Sequence, residues 1–144
     1  MTGGPAVIDT NVVVSGVLTR LAISPTARIL DGMLSGRFRH LLSIELLAEY
    51  RDVLLRPKIR RRHGLSEADV DVLLTEIAAN GVVLEPERSG RNRRRGGDEH
   101  LRELVAAAAG DSAVLVTGDQ KLIDEPVGGN RVMTARAFAD SLQE

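Results

Sequence analysis

Four acidic residues spread along the chain could do chemistry together: Asp9, Glu49, Asp98 and Asp119. Asp9 ends the run Pro5-Ala6-Val7-Ile8 and opens Asp9-Thr10-Asn11, with Val12-Val13-Val14 next. A carboxylate at the tip of a short apolar strand, followed at once by hydroxyl and amide groups, suits a metal or phosphate site better than a core. Asp119 follows a second apolar run, Ala113 to Val116, with Thr117 and Gly118 between. Ligand crevices of open α/β sheets lie at the carboxyl ends of the strands. If these two strands are neighbours, Asp9 and Asp119 share an edge. Asp98 opens a helix after Gly96-Gly97, and such a helix end can face the same edge. Asp111 precedes the second strand and so falls at the opposite edge. Glu49 stands three residues after Leu46, beside an apolar helical stripe, and Glu45 on the same side is its rival.

Each acid also has a plain structural role to weigh: Asp98 as a helix N-cap, Asp119 as a turn residue, Glu49 as a solvated helix position. Asp9 is the hardest to explain that way. If the acids do converge, two carboxylates about 5 Å apart repel by roughly 3 kcal/mol at an effective dielectric of about 20. Three or four cannot all remain ionised unless a cation joins them or some take up protons. Oxygen-only ligands favour Mg²⁺ or Mn²⁺ over zinc or copper. Such a site can lower the pKa of a bound water, hold a phosphodiester oxygen and stabilise a pentacovalent centre. The chain has no cysteine, and His40, His63 and His100 show no ligand spacing such as His-Glu-x-x-His. There is no Gly-x-Gly-x-x-Gly, no phosphate-binding Gly-x-x-x-x-Gly-Lys-Ser/Thr and no Gly-x-Ser-x-Gly. A phosphorylatable receiver domain would need an acidic pair before Asp9, which is missing.

The elements that must position these residues alternate. Pro5 to Asp9 reads as a strand. Ser24-Pro25 starts a helix whose stripe is Ala27, Ile29, Leu30, Met33 and Leu34, closed by Gly36. Phe38 to Ser43 is a strand. Ser43 caps a helix carrying Leu46, Leu47, Tyr50, Val53 and Leu54, limited by Pro57. Ser66-Glu67-Ala68-Asp69 has the form of a capping box before Val70, Leu73, Leu74, Ile77 and Ala78, and Asn80-Gly81 closes that helix. Val82 to Leu84 is a strand, Glu85 to Gly97 a loop, and Asp98 opens a helix with Leu101, Leu104, Val105 and Ala108 inward. After Ala113 to Val116, Arg131 to Met133 is a last strand and Thr134 caps a final helix with Ala137, Phe138 and Leu142. Alternation of this kind implies an α/β fold, a three-layer α/β/α sandwich with a central, mainly parallel sheet. The 144 residues suit a single domain spanning 1–144.

Composition narrows the setting. The hydrophobic fraction is 43% and the charged fraction 27%, ordinary for a globular chain. No apolar run approaches the roughly 20 residues that span a bilayer, and no signal peptide is visible, so a cytoplasmic protein without a membrane partner is expected. The net charge of −1 hides two basic blocks, Arg56 to His63 and Arg88 to Arg95. Such blocks are solvated surface or contacts to a phosphate backbone. An aromatic content of 2% argues against binding single strands by base stacking.

Asp9-Thr10-Asn11-Val12, Ser43 with Glu49-Tyr50-Arg51-Asp52-Val53-Leu54 and Arg56-Pro57-Lys58, Asp98-Glu99-His100-Leu101, and Val116-Thr117-Gly118-Asp119 together resemble the PIN-domain family. Nearest in flavour are the toxins of type II toxin–antitoxin systems. The resemblance runs over nearly the whole chain, to Val132-Met133-Thr134-Ala135-Arg136-Ala137-Phe138, and rests on order and spacing rather than on one motif. It implies a PIN-like fold and a metal-dependent endoribonuclease. It also implies a cytoplasmic homodimer blocked by a cognate antitoxin protein. The family's acids map to Asp9, Glu49, Asp98 and Asp119 as catalytic residues and ligands of Mg²⁺ or Mn²⁺. Thr10, Asn11 and Thr117 stand beside them. Relatives often carry Asp-Pro-x-Asp before the third acid, where this chain has Gly96-Gly97-Asp98-Glu99, so Glu99 competes with Asp98. Arg93, Arg94 and Arg95, in the loop before Asp98, are expected to contact RNA phosphates. The alternative is a PIN-like module that binds nucleic acid without cutting it.

Overall fold

In the computed structural model the residues described are 5–19, 23–84, 104, 113–118 and 131–142. Their elements run β1 (Ala6–Ile8), α1 (Thr10–Leu18), α2 (Pro25–Ser35), β2 (Leu41–Leu42), α3 (Ile44–Leu54), α4 (Pro57–His63), α5 (Glu67–Ala79), β3 (Val82–Val83), β4 (Val114–Val116), β5 (Arg131–Met133) and α6 (Ala135–Ser141).

The strands are short, apolar and parallel. β1 pairs with β4 in the register Ala6–Val114, Val7–Leu115 and Ile8–Val116, and β4 pairs with β5. β2 pairs with β3. A parallel bridge between Ala6 and His40, with the Ala6 amide donating to the Arg39 carbonyl at 2.9 Å, joins the two sets. The order across the sheet is therefore β3-β2-β1-β4-β5. Every residue of β1 is fully buried, as expected for a strand with neighbours on both edges and cover on both faces. The chain steps outward from β1 through β2 to β3, then returns to the other side of β1 for β4. The order reverses between β1 and β4, and such a switch point opens a crevice at the carboxyl ends of the strands.

Local signals start most of the helices. Ser24, Ser43 and Thr134 each accept an amide hydrogen from the third residue on, and Pro25 sits in the first turn of α2. Ser66 and Asp69 form a complete capping box. Gly36 ends α2 at φ 73°, in the left-handed region that glycine enters without cost. Against the reading of α6, Ala137 is exposed and Ala139 takes the inward place beside Phe138. Phe138 meets Phe38 edge to face at 4.9 Å between ring centroids, tying α6 to the approach to β2.

Two helices are not assigned from the sequence. Residues 10–18, with three successive valines, form a helix although β-branched side chains favour strands. Burial decides: Val12, Val13 and Val14 are all in the core, and α1 packs against α2, α3 and α4. Gly16 allows the close approach to α2, since a Cβ there would lie 2.7 Å from the Thr26 carbonyl oxygen. The second is the basic block at 56–63, which is the helix α4. Pro57 both stops α3 and occupies the first turn of α4, where its missing N–H costs nothing.

Candidate active site

At the switch point, Asp9 follows β1 and Thr117 follows β4. Backbone pairing runs past both strand ends, with the Asp9 amide donating to Val116 at 2.9 Å and the Thr117 amide to Met133 at 3.1 Å. That pairing sets the two side chains side by side. The Thr117 hydroxyl donates to Asp9 Oδ2 at 2.6 Å, and both residues are buried.

Asp9 occupies the N-cap position of α1 with extended backbone, yet its side chain makes no cap hydrogen bond. An Asp in that position ordinarily accepts an amide hydrogen of the first turn, worth about 1 kcal/mol. Here that bond is forgone and the carboxylate turns to Thr117. It remains close to the positive end of the α1 dipole.

Glu49 reaches the same place from α3. The buried Thr10 hydroxyl, on the first residue of α1, donates to Glu49 Oε2 at 2.8 Å. The next residue of α3, Tyr50, is fully buried and donates its hydroxyl to the Ile8 carbonyl at 2.5 Å. Adjacent side chains of one helix thus grip the end of β1 and the start of α1. Burial first, and then the negative charges of Asp9 and Glu49, push the Tyr50 phenol well above its ordinary pKa. It stays a neutral donor, and both carboxylates act on it.

The structure therefore brings together Asp9, Thr10, Glu49 and Thr117. Asn11 is exposed on α1. Asp98, Glu99, Asp119, Arg93, Arg94 and Arg95 lie outside the described residues. Among the described residues there is no group of three or more acid, histidine or cysteine side chains able to hold a metal ion. The donors that do meet are all oxygens, two carboxylates and the hydroxyls that orient them, a set suited to a hard divalent cation and not to zinc or copper. Glu45 is exposed while Glu49 is half-buried, which separates the two rivals. Of the histidines, His40 is fully buried and donates from Nε2 to the Ile77 carbonyl at 2.7 Å, a place in the core.

Tyr50 is the site residue that the sequence pattern undervalued. It lies on the apolar stripe of α3 and reads as core. The available signal was that it is the chain's only tyrosine: a buried phenol needs a hydrogen-bond acceptor, and strand ends supply carbonyls.

A family model described as the PIN domain matches residues 5–121 of the 144, and the chain belongs to that family. No curated protein and no solved structure matches it. PIN domains are generally nucleases that use divalent metal ions, which supports a nuclease-like function here. The mixed helix and parallel sheet agree with the family's α/β fold. Among the described residues no helix is long and apolar enough to cross a membrane.

Proposed function

We propose that the protein is a metal-dependent endoribonuclease that hydrolyses RNA phosphodiester bonds. The observation that carries this reading is the convergence of Asp9 and Glu49 at the switch point, each held by a threonine hydroxyl. Asp98 and Asp119 complete the proposed acid set. Asp119 stands two residues beyond Thr117 in sequence.

In this mechanism Asp9, Glu49, Asp98 and Asp119 would hold Mg²⁺ or Mn²⁺. The bound ion supplies a more acidic water and charge neutralisation on the phosphoryl oxygens. The chain's own groups do the positioning. Thr117 and Thr10 donate to the two carboxylates, fixing their rotamers with their lone pairs available at the crevice. Tyr50 holds the carbonyl just before Asp9, so the carboxylate cannot swing with the strand end. Asn11, exposed on α1 two residues after Asp9, would orient substrate. Arg93, Arg94 and Arg95 contact RNA phosphates. The fuller biological reading, a cytoplasmic homodimeric toxin restrained by an antitoxin protein, is supported by the motif resemblance.

The test is cleavage of labelled RNA by the purified protein in Mg²⁺ or Mn²⁺, with EDTA and the Asp9→Asn variant as controls. Metal-dependent cleavage lost in Asp9→Asn is expected. A folded Asp9→Asn variant that cuts as fast as the parent overturns the mechanism. Metal-independent RNA binding with no cleavage would favour the binding module.

A further inference from the structure

The second notable surface is α4. Lys58, Arg60, Arg61 and Arg62 are exposed on it, while Ile59 and His63 form its half-buried inner face. Arg28 and Arg51 on other helices, and Arg56 just before α4, have acidic partners: Arg28 with Asp140, Arg51 with Glu67 and Asp71, Arg56 with Asp52. Among the described residues, Lys58, Arg60, Arg61 and Arg62 take part in no ion pair.

Helix stability does not explain this. Arginines in a last turn gain a few tenths of a kcal/mol from the dipole. Lys58 meets Arg61 and Arg62 at three- and four-residue spacing, however, and like-charge pairs there cost a similar amount. The cations cluster without stabilising the helix that carries them.

α4 is also firmly presented. His63 Nε2 donates to the Leu54 carbonyl at 2.9 Å, and the Leu65 amide donates to His63 Nδ1 at 2.9 Å. Gly64 closes the helix in the left-handed conformation. The helix packs against α1 and α3, the two elements that bring Thr10 and Glu49 to the site. From Glu49 to the end of α3 the axis advances about 7.5 Å at 1.5 Å per residue, so α4 begins only a few nucleotide spacings away.

We propose that α4 is a phosphate track: Lys58, Arg60, Arg61 and Arg62 bind the backbone of a single-stranded RNA whose neighbouring nucleotides enter the carboxylate site. The inference rests on the nuclease reading and adds a substrate-holding surface to it. The track's cations hold the RNA backbone whether or not a metal ion is bound, so the helix contributes affinity in its absence, beside whatever Arg93, Arg94 and Arg95 add. Contacts to phosphate alone carry no base preference, which makes the track indifferent to sequence.

The experiment measures binding of a short fluorescent single-stranded RNA of mixed sequence, in EDTA, to the full chain and to a variant combining Lys58→Gln, Arg60→Gln, Arg61→Gln and Arg62→Gln. Glutamine keeps helix propensity, and circular dichroism checks the fold. The expected result is at least a tenfold loss of affinity at low salt. The slope of log affinity against log salt should also shallow by about 0.7 for each phosphate contact removed. Parent-like affinity and slope in the folded variant overturn the track. So does tighter binding of a polyglutamate peptide than of RNA, which would mark a protein partner. Metal-dependent RNA cleavage by a parent that shows no metal-free binding overturns the track and leaves the nuclease reading intact. Absence of both overturns the two together.

Discussion

Replacing Asp9 with asparagine removes one negative charge and keeps the shape of the side chain, so its effects on stability can be worked through in sign. Thr10 follows Asp9 and its hydroxyl is 2.8 Å from Glu49 Oε2. Adjacent Cα atoms are 3.8 Å apart, so the two carboxylates lie within roughly 12 Å of each other. At an effective dielectric of about 20, separations of about 5–12 Å correspond to a repulsion of about 1–3 kcal/mol, toward the lower end because Glu49 is half-buried. Asp9→Asn relieves that repulsion. Against this, the Thr117 hydroxyl then donates to a neutral amide oxygen rather than a carboxylate, a loss of about 1 kcal/mol. The favourable term with the α1 dipole goes too, about 0.3–1 kcal/mol. In EDTA the terms nearly cancel, and the variant should stay within about 1 kcal/mol of the parent.

Divalent metal should then separate the two proteins. A ligand at one hundred times its dissociation constant stabilises the folded state by about 2.7 kcal/mol, which for a chain of this size raises Tm by about 5–10 °C. Thermal unfolding in EDTA and in millimolar Mg²⁺ or Mn²⁺ reads both arms. The parent's Tm should climb with metal and the variant's should stay nearly level, with catalysis lost. A variant that is destabilised by more than about 2 kcal/mol in EDTA would show Asp9 to be a structural acceptor. Equal metal-induced shifts in both proteins would place the ion elsewhere. Either result refutes the reasoning.

Tyr50→Phe removes the buried hydroxyl that holds the Ile8 carbonyl, and should cost about 1–3 kcal/mol in denaturant unfolding along with reduced turnover; a loss below about 0.3 kcal/mol would contradict the assigned grip on β1. Gly16→Ala gains up to about 1 kcal/mol of helix propensity, but its methyl meets a backbone carbonyl oxygen at 2.7 Å, and the net outcome should be destabilisation by about 1–3 kcal/mol, read as a lower Tm. His40 is held neutral: burial lowers its pKa, with the hydrogen bond to Ile77 opposing in part, and among the described residues its Nδ1 has no partner. A histidine lowered on folding leaves the protein at full stability above the unfolded value near 6.5 and weakens it as pH falls below that. Denaturant midpoints at pH 7.5 and 5.5 should diverge more for the parent than for His40→Gln; equal divergence would clear His40 of the effect.

How much was legible depended on how local each signal is. Ser24, Ser43, Ser66 and Thr134 announce their helices because capping involves a side chain and an amide three residues away. α1 gave no such sign. Its N-cap is spent on Thr117, 108 positions along the chain, so the bond that would mark a helix start is absent, and its valines point toward a strand. α4 was obscured because Pro57 reads as a stop, and only the structure shows the stop of one helix serving as the start of the next. The acids were individually visible by type. Asp9 meets Glu49 because α3 packs beside α1, and meets Thr117 because β4 returns beside β1, and no local pattern encodes either adjacency. Thr117 was nominated by resemblance, while Tyr50 was hidden by its own apolar surroundings.

The choice of threonine at both positions bears on what this crevice is for. A lysine or arginine beside Asp9 and Glu49 would orient the carboxylates and also cancel their charge, leaving a stable ion pair with little remaining attraction for a cation. A hydroxyl gives one hydrogen bond, fixes the rotamer and leaves the charge in place. Thr117 and Thr10 do this for one acid each, and because both threonines are buried, their hydroxyls have little bulk water to turn toward. Tyr50 adds a third neutral donor against the adjoining carbonyl. Each threonine thus orients its acid without itself cancelling the charge, and on the proposed reading a divalent cation binds there. Introducing a cation in place of the hydroxyl, as in Thr117→Lys, should therefore compensate Asp9 and weaken metal binding at once. The steric cost of a lysine at a fully buried position complicates that variant, so Thr10→Val and Thr117→Val give the cleaner comparison: both keep the shape and the net charge, and both should leave metal-dependent stabilisation weaker but present, in contrast to its loss in Asp9→Asn.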